Sequence, residues 1–146
     1  MRTVYSIGFT QKTAEQFFNL LKVAGIRRLL DVRLNNLSQL AGFAKREDLR
    51  YLLREICGAE YRHEPLLAPT QEMLEGYRKK KGAWEKYEAN FLALMRERDI
   101  GNRLDRSLFV APTVLLCSEP AADMCHRRLV LEYLQQCWGG MNIVHL

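Results

Sequence analysis

No run of apolar residues in this 146-residue chain reaches the about 18 that a membrane-spanning helix needs. The opening residues, MRTVYSIGFTQ, lack the apolar centre of a secretory leader. Cysteine is sparse and irregularly spaced, at positions 57, 117, 125 and 137, too few for the disulfide framework of a small exported domain. The expectation is a cytoplasmic protein with reduced thiols and no membrane contact. No G-x-G-x-x-G and no P-loop follows a candidate strand, which argues against a dinucleotide or ATP site. The cysteines do not stand at the C-x-x-C type of spacing that marks a zinc site. No cofactor and no metal is therefore expected. Internal repeats, linkers and low-complexity segments are also missing, so residues 1–146 read as one domain.

What remains is an ordinary globular composition, 48% apolar and 27% charged, enough to build a core at this length. Acidic residues are outnumbered: 22 Lys and Arg against 17 Asp and Glu give a net charge of +5. That balance favours anionic partners, either a small anion or nucleic acid. It says nothing about oligomeric state.

Taken in order, residues 3–7 are β-rich and run into Gly8. Thr13 stands three before Gln16, the spacing of a capping box. Phe17, Leu20, Leu21 and Ala24 then follow at helical period, and Gly25 stops the helix. Residues 27–33, RRLLDVR, read as a second strand, parallel to the first across a β-α-β unit. Residues 34–44 form a loop rich in Asn, Ser and Gly, longer than a connection requires. A second helix with Leu49, Leu52, Leu53 and Ile56 on its buried side ends at Gly58. Residues 60–63 are a short third strand. A broken helical region follows, its second piece predicted from about residue 84 to 98. Residues 113–117 are a central strand, a last helix is predicted over about 122–136, and residues 142–146 close the sheet at an edge.

This alternation predicts an α/β domain: an open, mostly parallel β-sheet with helices on both faces. Ligands of such sheets bind outside the carboxyl ends of the strands. The candidate residues lie at those ends: Gly8 after the first strand, Asp31 and Arg33 at the second, His63 at the third, and Cys117-Ser118-Glu119 at the fourth.

The densest chemistry is in TVLLCSEPAADMCHRRLVLEY, residues 113–133, where a strand breaks and a helix begins. A helix start offers free amides and partial positive charge. A cysteine there, Cys125, has its thiolate favoured. Arginines beside it, above all Arg127, suit a phosphate or carboxylate. His126 is placed either to move protons or to sit on the apolar stripe with Val130, and Cys125 either as a nucleophile or as a small buried residue. Cys117 with Cys125 also makes a candidate metal-thiolate or redox pair. Asp31 and Arg33, two apart on one strand, face the same side and either pair with each other or meet a ligand. Arg46, Arg50 and Arg54, with the basic run at 78–81, offer a track for a nucleic-acid backbone.

Together these segments carry a resemblance. Residues 5–10 (YSIGFT), residues 25–33 (GIRRLLDVR), Ser38 with Gly42-Phe43 and Lys45, Tyr61 with His63, and residues 115–119 (LLCSE) with Cys125-His126-Arg127 are similar to the motifs of the DUF488 family of small α/β proteins. The resemblance spans nearly the whole chain and implies that fold and a site formed by those motifs. It implies no reaction. The expectation is thus an enzyme-like protein that binds an anionic, phosphate-bearing or nucleic-acid-derived substrate at the carboxyl edge of its sheet. Arg33, Arg127, Gly8, Asp31, Ser38 and Lys45 would bind substrate, and His126, Cys125, Glu119 and His63 would be the catalytic candidates. The alternatives are a non-catalytic nucleic-acid-binding module and a metal-thiolate or redox protein.

Overall fold

The structure, a computed structural model, describes residues 2–35, 42–78, 83–118 and 125–146. Five strands form one sheet: β1 (Arg2–Gly8), β2 (Arg28–Asp31), β3 (Glu60–His63), β4 (Thr113–Cys117) and β5 (Met141–His145). Their order is β3-β2-β4-β1-β5, and every pairing is parallel. The first two strands are parallel, as their β-α-β spacing requires, but β4 lies between them. It is the strand that both faces cover, which is why its five residues TVLLC are all buried.

The helices divide between the two faces. On one side α1 (Ala14–Val23) and α2 (Arg46–Leu52) place Phe17, Phe18, Leu21, Leu49 and Leu53 against Ile7, Leu29, Val114 and Leu116. On the other, α4 (Trp84–Glu97), the short α5 (Ile100–Arg103) and α6 (His126–Trp138) pack Phe91, Met95, Ile100, Val130, Leu131 and Leu134 against Val4, Leu30, Leu115 and Cys117. Alternating strand residues therefore feed alternate cores, so Leu29 and Leu30 serve opposite faces. The helix α3 (Gln71–Arg78) packs on α4. No helix of the described residues is long and apolar enough to cross a membrane.

Two local features shape the helices of the α1–α2 face. Thr13 caps α1 as its spacing predicts: the Gln16 amide donates to Thr13 Oγ1 at 3.1 Å and the Thr13 amide to Gln16 Oε1 at 2.9 Å. After α2 the chain widens into a π-turn over Leu53–Cys57, closed by Gly58 at φ 61°. The predicted stripe holds except at its last position: Leu49 and Leu53 are fully buried and Leu52 packs against the same core, but Ile56 is 38% exposed. The extra residue in the wide turn rotates position 56 outward, and Cys57 packs against the core in its place.

Candidate functional site

The chain leaves β2 through Asp31-Val32-Arg33, and this exit is held from several sides. Arg33 folds back on Asp31, its Nε donating to Oδ1 at 2.8 Å and its Nη2 to Oδ2 at 2.8 Å. The Arg33 amide also donates to Asp31 Oδ1 at 3.1 Å. Tyr61, one step earlier than His63 on the same side of β3, gives its hydroxyl to Asp31 Oδ2 at 2.6 Å. Arg33 Nη2 reaches the Ala44 carbonyl at 2.7 Å, which ties the far end of the long loop to the strand exit. Both charged groups are removed from water, Asp31 at 0% exposure and Arg33 at 3%. A buried carboxylate needs such partners, because an unpaired charge there costs several kcal/mol. One nitrogen is left over: Arg33 Nη1 is buried and has no hydrogen-bond partner among the described residues.

The two candidate histidines grip the same exit. His63 Nε2 lies 2.9 Å from the Arg33 carbonyl oxygen and His126 Nε2 lies 2.8 Å from that of Val32. A carbonyl only accepts, so each Nε2 carries the proton. The Nδ1 of His126 then faces the sulfur of Cys125, at 4.0 Å. The His126 ring rests against Phe91, centroids 5.5 Å apart.

Cys125 is the residue before the first turn of α6, in extended conformation, and its side chain makes no capping bond. The sulfur is instead turned to Cys117 at the end of β4, and the two sulfurs are in contact. Their Cα atoms are 7.7 Å apart, wider than the roughly 4.4–6.8 Å of a relaxed disulfide. The structure joins the pair as a disulfide, whose reduced form is a dithiol. Arg127 runs inward beneath them and is fully buried. Its Nη1 donates to Cys117 Sγ at 3.0 Å and its Nε to Ser6 Oγ at 3.0 Å. A guanidinium at a sulfur stabilises negative charge on it. The charge of Arg127 is felt as far as Lys12, whose ammonium is held below the ordinary lysine range first by burial and then by this cation.

Between the ends of β2 and β4 lies a cavity of about 80 Å³, lined by Arg33, Leu34, Asn35, Pro69, Leu74, Cys117, Ser118, Cys125 and His126. Of the expected site residues, Arg33, Cys125 and His126 meet here. Asp31 stands behind Arg33, and His63 behind its carbonyl. Gly8 pairs with Cys117 in the sheet. Lys45 caps α2 with its backbone, its carbonyl accepting from the Leu49 amide at 2.8 Å; it is not among the lining residues. Arg127 serves the cavity from beneath, through Cys117, and not at its rim. Ser38 and Glu119 lie outside the described residues. Reasoning from sequence did not single out Asn35, Pro69 or Leu74. The two prolines at 65 and 69 mark a turn, but nothing local says that the turn folds over β2.

The arginines of the basic face reach solvent but have local partners. Arg46 pairs with Glu47 at 3.3 Å and Arg54 with Glu55 at 3.2 Å, and Arg50 lies over the ring of Tyr61. Residues 79–81 lie outside the described residues. Among the described residues no three His, Cys, Asp or Glu side chains cluster to hold a metal ion.

Comparison with known families finds that the model of DUF488, a domain of unknown function, matches residues 13–134. No curated protein and no solved structure matches the chain.

Proposed function

Because the chain belongs to the DUF488 family, whose description names no reaction, we propose a function from the site alone: an enzyme-like protein that takes a small oxyanion, of the size and charge of phosphate, into the cavity at the carboxyl edge of its sheet. The observation that carries this reading is Arg33 Nη1, a buried cationic donor with no partner among the described residues, on a side chain that lines the cavity. The start of the 13-residue helix α6 borders the same space and adds partial positive charge and first-turn amides. A volume of about 80 Å³ is well below the roughly 300–1,000 Å³ of a pocket for a drug-sized ligand, and so favours a small inorganic anion or the end group of a larger one. The role of Arg33 is to receive the anion, of Asp31 and Tyr61 to fix Arg33, and of His126 to offer Nδ1 as a proton acceptor beside Cys125.

The test is binding of inorganic phosphate to the reduced full chain, by calorimetry and by thermal shift. Leu74→Trp, which fills the cavity while sparing Arg33, should weaken binding at least tenfold. Arg46→Ala, on the exposed basic face, should leave it unchanged. Equal affinity in all three chains would refute the assignment. Loss in Arg46→Ala alone would point to the nucleic-acid reading.

A further inference from the structure

Two sulfurs in contact at the wall of an anion cavity can do more than bind. We propose that Cys125 and Cys117 form a dithiol centre that reduces the bound oxyanion by two electrons and closes to a disulfide in doing so. The proposal rests on the oxyanion reading above and adds the reaction and the class of substrate, an oxyanion whose central atom accepts sulfur.

Three placements support it. Cys125 stands at the start of α6, where the helix field favours its thiolate, with His126 Nδ1 at 4.0 Å to take its proton. Cys117 is contacted by the guanidinium of Arg127 at 3.0 Å and is joined to Cys125 as a disulfide in the structure, so the fold accepts the oxidised form of the pair. Both cysteines line the cavity with Arg33, so an anion held on Arg33 Nη1 has sulfur as its neighbour. Cys57 and Cys137, which stay free, are elsewhere.

Arsenate, which matches phosphate in shape and charge but is readily reduced by thiols, shows the balance. The Cys125 thiolate attacks arsenic; an S–As bond forms and one arsenate oxygen leaves as water with the protons of the two thiols. The Cys117 thiolate then attacks the Cys125 sulfur. The S–S bond forms, the S–As bond breaks, and its electron pair stays on arsenic, which leaves as arsenite. Two thiols are oxidised by two electrons and one arsenic(V) is reduced to arsenic(III). An external thiol, as two equivalents of a monothiol or one of a dithiol, reopens the bridge by exchange. Phosphate enters the same cavity and is not reduced.

The experiment uses the reduced full chain, freed of reductant, under anaerobic conditions. Excess arsenate should remove two of its four thiols, counted after denaturation, and release one arsenite per chain; phosphate should remove none and should compete. Cys117→Ser should still bind phosphate and should release no arsenite, and Cys125→Ser should lose no thiol. If arsenate competes with phosphate yet all four thiols remain, the redox step is overturned and the oxyanion reading stands. If neither anion binds, the oxyanion reading fails and this proposal with it. Thiol loss in Cys117→Ser equal to that of the parent chain would also overturn it, as would two thiols consumed by hydrogen peroxide and none by arsenate.

Discussion

Asp31→Asn should destabilise the fold by about 3–5 kcal/mol, the cost of breaking one partner out of a buried ion pair. The size follows from what is left behind. Arg33 is 3% exposed, and its Nε and Nη2 both point at the Asp31 carboxylate, at 2.8 Å each. The amide keeps the shape and one acceptor but removes the charge, so a guanidinium stays buried with only the Ala44 carbonyl and a neutral oxygen. Tyr61→Phe removes the hydroxyl donor at 2.6 Å and leaves the ion pair, so it should cost less, about 1.5–3 kcal/mol for a hydrogen bond to a charged group. Against a usual total of roughly 5–15 kcal/mol, Asp31→Asn is severe and Tyr61→Phe tolerable. Urea unfolding followed by circular dichroism measures both, provided that the slope with denaturant stays constant. The double variant Asp31→Asn with Arg33→Met should be less destabilised than the sum of the two singles, because it leaves no unpaired charge. Strict additivity, or an Asp31→Asn cost below about 1 kcal/mol, would refute the reasoning.

Other outcomes follow from the same structure. Gly58 holds φ 61° at the end of the π-turn, so Gly58→Ala should cost about 1 kcal/mol in chemical denaturation. Burial raises the Cys57 thiol above its ordinary value, with Lys22 opposing it only in part; Cys57 should react with a thiol reagent at pH 8 more slowly than exposed Cys137, a difference read by mass spectrometry of partially labelled chain. Lys12 is held below the ordinary lysine value, so the unfolded chain binds more protons and folding gains as pH rises from the folded value to about 10.4. Lys12→Met should therefore raise the melting temperature at neutral pH, and its advantage should shrink as pH climbs through that window.

Much of the fold was legible in the sequence because it rests on local rules. The capping box at Thr13 and Gln16 formed as spaced, and the Leu29-Leu30 pair serves the two faces of a covered sheet. Strand order was legible in part: residues 113–117 were expected at the centre and 142–146 at an edge, and β4 and β5 stand there, but that β4 enters between β1 and β2 is a tertiary condition that no local pattern gave. Arg127 shows a different limit. It lies at i, i+3, i+4 and i+7 with Val130, Leu131 and Leu134, all buried, so the helical period itself placed it inward. Its charge suggested the rim, yet Ser6 and Cys117, far apart in sequence, supply the partners that let a guanidinium be buried. The shared location of Arg33, Cys125 and His126 was legible from the rule that parallel strands present ligands at their carboxyl ends. The contributions of Asn35, Pro69 and Leu74 depend on how loops fold over that edge, which no local pattern records.

The most direct test of the central claim is a crystal structure of the reduced chain soaked in an oxyanion with a heavy centre, such as tungstate or selenate. Anomalous density in the cavity, within hydrogen-bonding distance of Arg33 Nη1 and beside Cys125, is the expected result. Density only at the exposed arginines of α2, with the cavity empty, would contradict it.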